Sequence, residues 1–320
     1  MTGKRYRQVG ETLYHSQLEN GLHIYVYVKP EFSKSYAFFA TNYGGMDMRY
    51  YYGGDWQDTP AGVAHFLEHK MFDTKDGNAL QELAANGASP NAFTSIDITG
   101  YYFESTEKFE ENLRTLLSFV SVPWFTQESV DKEQGIIGQE IRMVEDDPGN
   151  QVFYGMLEAL YAHNPIRVSI AGTVESIAEL TADPLYTCHA AVYDPANMVL
   201  CVAGNVDPER VEQIAREVLP ERGGEDIPRD YGGEEAEEVF RAETVQEMAG
   251  STPIFQLGWK ADPSPKGEEH MRRQFLGARC CEAVAGTSSP LYPQLYSRGL
   301  GNQNFSYGFE AYPGCRAVHR

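Results

Sequence analysis

Two histidines four residues apart, His65 and His69, with Glu68 just before the second, are the residues of this chain best suited to chemistry. On a helix, positions i and i+4 share a face, so both imidazoles can hold one metal ion. Two neutral imidazoles suit Zn²⁺, which takes nitrogen and oxygen donors in a tetrahedron. Glu68 points near the same face, where it can take a proton from a water that the metal polarises. The plainer reading makes all three ordinary helix-surface residues. The flanking sequence argues against it. Val63, Phe66, Leu67 and Phe72 give the helix apolar faces, so it is expected to be buried, and polar side chains on a buried helix need partners. Thr59 as N-cap and Pro60 in the first turn are expected to start that helix.

A metal held by two histidines needs a third protein ligand. Residues 126–147 read as a helix on which Glu133 and Glu140, seven apart, lie on one face. Ile136, Ile137, Ile141 and Val144 form its expected apolar side. Helices carry many solvated glutamates, so by spacing alone either glutamate, or neither, serves the site.

Taken together, His65, Glu68 and His69 (H-x-x-E-H, the inverzincin order) and a glutamate pair ending 71 residues after His69 resemble the M16 peptidase family, also called the pitrilysin or insulinase family. The resemblance implies one Zn²⁺ per chain with His65, His69 and Glu140 as ligands, Glu68 as general base, and Glu133 as a residue that steadies the ligands and so serves catalysis. Asn91-Ala92-Phe93-Thr94 matches the family's N-A-x-T segment and precedes a strand, Gly100 to Glu104. In the family this segment is the edge of the sheet beside the metal, and an extended peptide pairs with it through backbone hydrogen bonds. Asn91, Ala92, Phe93 and Thr94 are therefore the expected substrate-binding residues. Without the metal motif they read more simply as a plain hairpin with Asn91 in a turn. The likeness runs from about Leu18 to Leu219, continues more faintly to the end, and is greatest to bacterial half-length members.

Around these residues, Glu11–Leu18 and Leu22–Val28 read as strands joined by Asn20-Gly21, a hairpin signal. Ser35–Asn42 reads as a strand, and Tyr50–Tyr52 as the packed edge of a sheet in preference to a substrate wall. Gly77–Asn86 is an expected short helix closed by Gly87, followed by strands at Asn91–Ser95 and Thr99–Glu104. Helices are expected at Phe109–Val120, Pro148–Ala162, Thr173–Leu180 and Asp207–Leu219, with a buried strand at Met198–Gly204. This pattern predicts an α+β fold, a mostly antiparallel sheet with helices packed on one face. The resemblance makes it a repeated M16-type module.

The chain has 320 residues and a net charge of −20, which argues against nucleic-acid phosphates or an anionic membrane as partners. No apolar run is long enough for a membrane span, and the first residues carry no secretory h-region. Five scattered cysteines without C-x-x-C suggest neither a disulfide framework nor a cysteine metal site, and a cytoplasmic location is expected.

The expected organisation is a metal-bearing module at 1–220, an acidic Gly-rich linker at 221–252, and the start of a second, incomplete module at 253–320. Within these, Glu237–Met248 reads either as linker or as an extended strand, Ile254–Trp259 as a strand, Met271–Ala285 and Leu291–Tyr296 as helices, and Asn304–Ala311 as a strand. Active relatives use an Arg and a Tyr seven positions apart to hold substrate. Here Tyr296 stands where the Arg belongs and no Tyr follows in register. The resemblance thus implies a zinc endopeptidase subunit acting on peptides, with a second M16-type subunit supplying the Arg/Tyr pair. The alternative is a non-catalytic assembly subunit, a role in which relatives typically lose metal-site residues; His65, Glu68, His69 and Glu140 are all present.

Overall fold

The structure, a computed structural model, describes residues 1–221, 224, 227–250, 252–263, 267–302, 305–312 and 316–319. The chain divides into two compact units, Met1–Ile141 with Ile170–Asp230, and Arg142–Ser169 with Tyr231–Arg320.

The first unit opens with strands β1 (Thr2–Tyr6), β2 (Glu11–Gln17), β3 (His23–Val28) and β4 (Ser35–Thr41), then a separate hairpin of β5 (Arg49–Tyr52) and β6 (Asp55–Asp58). Helix α1 (Val63–Met71) follows, then the short pair β7 (Asp73–Thr74) and β8 (Gly77–Asn78), helix α2 (Ala79–Ala85), strands β9 (Ala88–Thr94) and β10 (Thr99–Ser105), and helices α3 (Phe109–Ser121) and α4 (Gln127–Asp146). After α5 (Pro148–Leu160), which belongs to the second unit, the first unit resumes with α6 (Val174–Ala178), α7 (Ala182–Val192), β11 (Met198–Gly204) and α8 (Pro208–Val218).

Seven of these strands form one sheet in the order β1-β2-β3-β11-β4-β10-β9. All neighbours are antiparallel except β11, which runs parallel to β3. The fold is therefore α+β with a mostly antiparallel sheet. The period-two alternation of β3 and β4 turns Ile24, Val26, Ala37 and Phe39 into the core. There they meet Phe66 and Leu67 of α1, Leu113 and Leu117 of α3, Ile137 of α4 and Ile214 of α8. Each of the buried Val, Leu, Ile and Phe side chains contributes about 1.5–3 kcal/mol, so this packing fixes α1 and α4 against the sheet. At the Asn20-Gly21 turn, Gly21 has φ 91° and a Cβ there would lie 2.5 Å from the Ala196 Cβ. Only glycine fits both demands.

Tyr50–Tyr52 forms one strand of the separate two-stranded β5–β6 sheet, held by the Arg49–Asp58 ion pair and the Tyr51–Trp56 contact, with Tyr50 buried. The structure corrects other expectations. On α4 the buried stripe is Val130, Ile137, Gly138 and Ile141, while Ile136 is 46% exposed. The stripe centres on Ile137, and Ile136 lies about 100° around the helix from it. Strand β1 and helix α7 were not expected at all.

In the second unit, strands β12 (Lys260–Pro263), β13 (Phe309–Glu310) and β14 (Arg316–His319) form a sheet in the order β12-β14-β13, with helices α9 (Glu268–Ala285) and α10 (Leu291–Ser297). The strands read at Glu237–Met248 and Ile254–Trp259 are absent. Phe255 and Leu257 stand 85% and 62% exposed, and among the described residues no strand includes residues 254–259. Of the strand read at Asn304–Ala311, Asn304 lies outside the described residues and only Phe309–Glu310 is paired. Cys315 also lies outside them.

Candidate metal centre

Helix α1 does not start where its sequence suggested. Thr59 donates both its N–H and its hydroxyl to the Met48 carbonyl, at 2.8 and 3.1 Å, and lies three residues before the N-cap. The N-cap is Gly62, in the left-handed region with φ 94°. A side chain there would meet the Ala171 carbonyl oxygen at 2.6 Å, and one at Gly172 (φ 73°) would meet that of Ala61 at 2.4 Å. Two backbone segments touch at these glycines, and that contact sets where α1 begins. Thr173 and Ser176 then cap α6 reciprocally, with Ser176 standing in for the usual glutamate.

From α1, His65 and Glu68 are buried and His69 is half-buried, on the side facing α4 and β9. The His65 and His69 rings meet edge-on, with centroids 4.6 Å apart. From α4, the Glu140 carboxylate reaches both: Oε1 lies 3.4 Å from His65 Nε2 and Oε2 lies 3.5 Å from His69 Nε2. One ligand atom from each of His65, His69 and Glu140 falls within 4.8 Å of the others, the arrangement that one metal ion requires. Glu133, two turns earlier on α4, does something different. Its Oε1 accepts from His69 Nδ1 at 3.0 Å, which puts the imidazole proton on Nδ1 and leaves the Nε2 lone pair for the metal position. Seven-residue spacing put both glutamates on one face; the tertiary packing gave them different atoms to touch.

Glu68 lies beside these groups and accepts a hydrogen bond from Thr94 Oγ1 at 3.1 Å. Burial pushes the Glu68 carboxyl above its usual range, against the pull of His65, His69 and Thr94. For His69, burial disfavours the charged form, but the Glu133 hydrogen bond and the Glu68, Glu133 and Glu140 charges outweigh it and raise its pKa. The hydrogen bond to His65 holds Glu140 below the ordinary carboxylate value despite its partial burial. The electrostatics are those of a site built around positive charge.

The expected substrate-binding segment is β9, and it is the edge of the seven-stranded sheet. Its residues alternate: Ala88, Pro90, Ala92 and Thr94 are buried or half-buried, while Ser89, Asn91 and Phe93 are exposed. Phe93 stacks on Phe38, with centroids 6.1 Å apart. The Asn91 Oδ1 accepts from the Ala92 N–H at 2.9 Å. Thr94 faces Glu68, a contact that its place in the N-A-x-T segment did not signal. Lys70 also went unread. Its ammonium is fully buried, pairs with Asp73 and donates to the Ser129 carbonyl at 3.4 Å, tying the end of α1 to the start of α4. A lysine directly after the second histidine, on a helix with little solvent face, was the available signal.

Residues 52–174 match the model of the insulinase family, peptidase family M16, and residues 179–318 match that of the M16 peptidase inactive domain. The Bacillus subtilis protein YmfH, described as an uncharacterized zinc protease, is 42% identical over 311 residues, covering 96% of this chain and 73% of that protein. The chain belongs to the M16 peptidase family. A second relative, from Streptomyces coelicolor and also described as an uncharacterized zinc protease, is 29% identical over 282 residues, 82% of this chain and 61% of its own. Among solved structures, a protein from Alicyclobacillus acidocaldarius described as M16-like peptidase matches with a TM-score of 0.89 and 33% identity over 96% of this chain and 73% of that one. A protease from Helicobacter pylori matches with a TM-score of 0.75 at 17% identity, 97% of this chain and 74% of that one, and supports the fold alone. His65, Glu68, His69, Glu133 and Glu140 all fall in the first matched segment. Among the described residues no helix is long and apolar enough to cross a membrane.

Proposed function

We propose that this M16 chain is the metal-bearing subunit of a zinc-dependent endopeptidase, with Glu68 as general base. The observation that carries this reading is the convergence of one ligand atom from each of His65, His69 and Glu140 within 4.8 Å. Two imidazole nitrogens and one carboxylate oxygen suit zinc and leave a position open for chemistry. A zinc ion held there supplies Lewis acidity to the scissile carbonyl and the attacking water. Glu68 accepts the proton of that water and delivers it to the leaving amine as the C–N bond breaks. Glu133 keeps the His69 ring in the tautomer that presents Nε2. The free edge of β9, Asn91 to Thr94, pairs with the backbone of an extended peptide, which reads little of the substrate's sequence. A second M16-type subunit closes over the site and brings an Arg/Tyr pair to the developing oxyanion, in a site from which water is excluded.

Elemental analysis of the purified protein, with cleavage assays on unstructured peptides, tests this reading. One zinc per chain and cleavage abolished by a chelator and by Glu68→Gln are expected. A protein free of zinc and without cleavage after purification in zinc-containing buffer refutes it and leaves the assembly-subunit role, and peptide cleavage indifferent to chelation refutes the zinc mechanism.

A further inference from the structure

We infer that Thr94 is a positioning residue for Glu68, so that the same edge strand that takes the peptide also aims the base; this rests on the function proposed above. The hydroxyl of Thr94 donates to Glu68 Oε2 at 3.1 Å. An ionised carboxylate only accepts, so the hydroxyl proton is committed to this bond and Thr94 has no proton to offer a substrate. With Oε2 occupied, Oε1 is the oxygen left to face the water.

The two partners differ in how firmly they are held. Glu68 reaches from α1 on three rotatable bonds, and its terminal torsion is broad, so packing alone leaves the carboxylate plane loosely set. Thr94 is β-branched and stiff at χ1. Its backbone is pinned from several sides. Thr94 pairs with Thr99 across β9 and β10, and the Ser95 N–H bonds the Ile98 carbonyl at 2.8 Å. The Gly45 N–H donates to the Ser95 carbonyl at 2.9 Å, and the Met46 N–H to that of Ile96 at 2.9 Å. A Cβ on Gly44 would lie 2.5 Å from the Asp97 nitrogen, so the β9–β10 turn sits directly on the Gly44 backbone. Thr99, opposite Thr94, is fully buried and bonds the Tyr43 carbonyl at 2.9 Å. The rigid element is the sheet, and Thr94 is the handle by which it holds the carboxylate.

This placement has a consequence for substrate. A peptide that adds to the free edge of β9 stiffens the strand that carries Thr94. Binding at the edge and alignment of the base are then coupled through one hydroxyl. Because the hydroxyl acts on the base, its removal is felt in the chemical step and not in binding, and a loss of alignment of this kind costs about tenfold or more in rate.

The test uses the zinc-loaded full chain and the variants Thr94→Val, Thr94→Ala and Thr94→Ser, with kinetics on a fluorogenic peptide and crystal structures of wild type and Thr94→Val. Thr94→Val is nearly isosteric and removes only the donor; if it does not fold, Thr94→Ala takes its place. The expected result is full zinc content, a kcat lowered about tenfold, and a KM changed by less than about twofold. Thr94→Ser, which restores the hydroxyl, recovers kcat to within about threefold. An unchanged kcat, a rise confined to KM, or no recovery in Thr94→Ser overturns the inference. The crystal structures separate its failure from failure of the peptidase reading, because they report on Glu68 whatever the activity. One carboxylate orientation in wild type and a different or split one in Thr94→Val supports the inference; the same single orientation in both overturns it.

Discussion

Truncating Glu133 to alanine leaves the proposed ligands His65, His69 and Glu140 untouched and removes the 3.0 Å bond from His69 Nδ1. The Glu133 side chain is only 15% exposed, so water does not readily replace that contact. A hydrogen bond to a charged group contributes about 1.5–3 kcal/mol, and loss of a group that orients a ligand weakens metal affinity about 10–100-fold, or about 1.4–2.8 kcal/mol. The two ranges agree. Glu140 is placed differently, since its carboxylate approaches Nε2 of both His65 and His69. In the proposed site, removing it deletes a ligand. Zinc binding of about 10–16 kcal/mol spread over four donors gives roughly 3 kcal/mol each, and hence a loss of about 10²-fold or more. Glutamine separates the roles more sharply. Glu133→Gln can keep an oxygen acceptor opposite Nδ1 and is expected to lose only a few-fold in affinity, whereas Glu140→Gln replaces an anionic donor with a poor one. Zinc affinity measured by competition with a chromogenic chelator provides the comparison. Were Glu133→Gln to cost as much as Glu140→Gln, Glu133 would be a ligand; were Glu133→Ala to change affinity by less than about twofold, the orienting role would be wrong.

Further outcomes are expected. Glu68→Gln retains zinc and loses activity by roughly 10²-fold or more, because glutamine keeps the shape but accepts no proton; loss of zinc by elemental analysis would instead make Glu68 a ligand. Gly62→Ala combines a left-handed backbone with contact to the Ala171 carbonyl. It should lower stability by about 1–3 kcal/mol in urea unfolding, and an unchanged midpoint would show that the two segments can move apart. In the second unit, Glu235 is disfavoured as a charge by burial. It is nonetheless held below the ordinary value of 4.5 by the N–H groups of His163, Asn164 and Ala162 and by Lys260. Its contribution is complete above 4.5 and is lost as pH falls through the lower folded value. Hydrogen exchange at residues 162–164 should accelerate there in wild type and show no such step in Glu235→Gln. The isolated chain should cleave peptides weakly, with rescue by a homologous subunit carrying Arg and Tyr; full activity that does not vary with concentration in the lone monomer would refute the two-part reading.

What the sequence determined by itself was what rests on short spacing. His65 and His69 share a helix face by the 3.6-residue period, Glu133 and Glu140 share another for the same reason, and Asn20-Gly21 announces a hairpin through glycine's freedom at positive φ. These features need no knowledge of distant chain, and with the M16 resemblance they delivered the α+β fold and the set of polar residues that the structure gathers. Tertiary structure decided what each of those residues touches. Spacing could not tell Glu140, which reaches both Nε2 atoms, from Glu133, which reaches the far nitrogen of one ring. Nor could it tell that Thr94, read as a peptide contact, spends its hydroxyl on Glu68. The start of α1 moved from Pro60 to Val63 because the chain at Ala171-Gly172 packs against Gly62, a contact between segments far apart in sequence. The apolar run Ile254–Trp259 did not become a strand, and Met198–Gly204 joined β3 in parallel, because strands exist only where another strand supplies the ladder. Local periodicity assigns faces, whereas hydrogen-bond partners and donor atoms are set by which distant faces the core brings together.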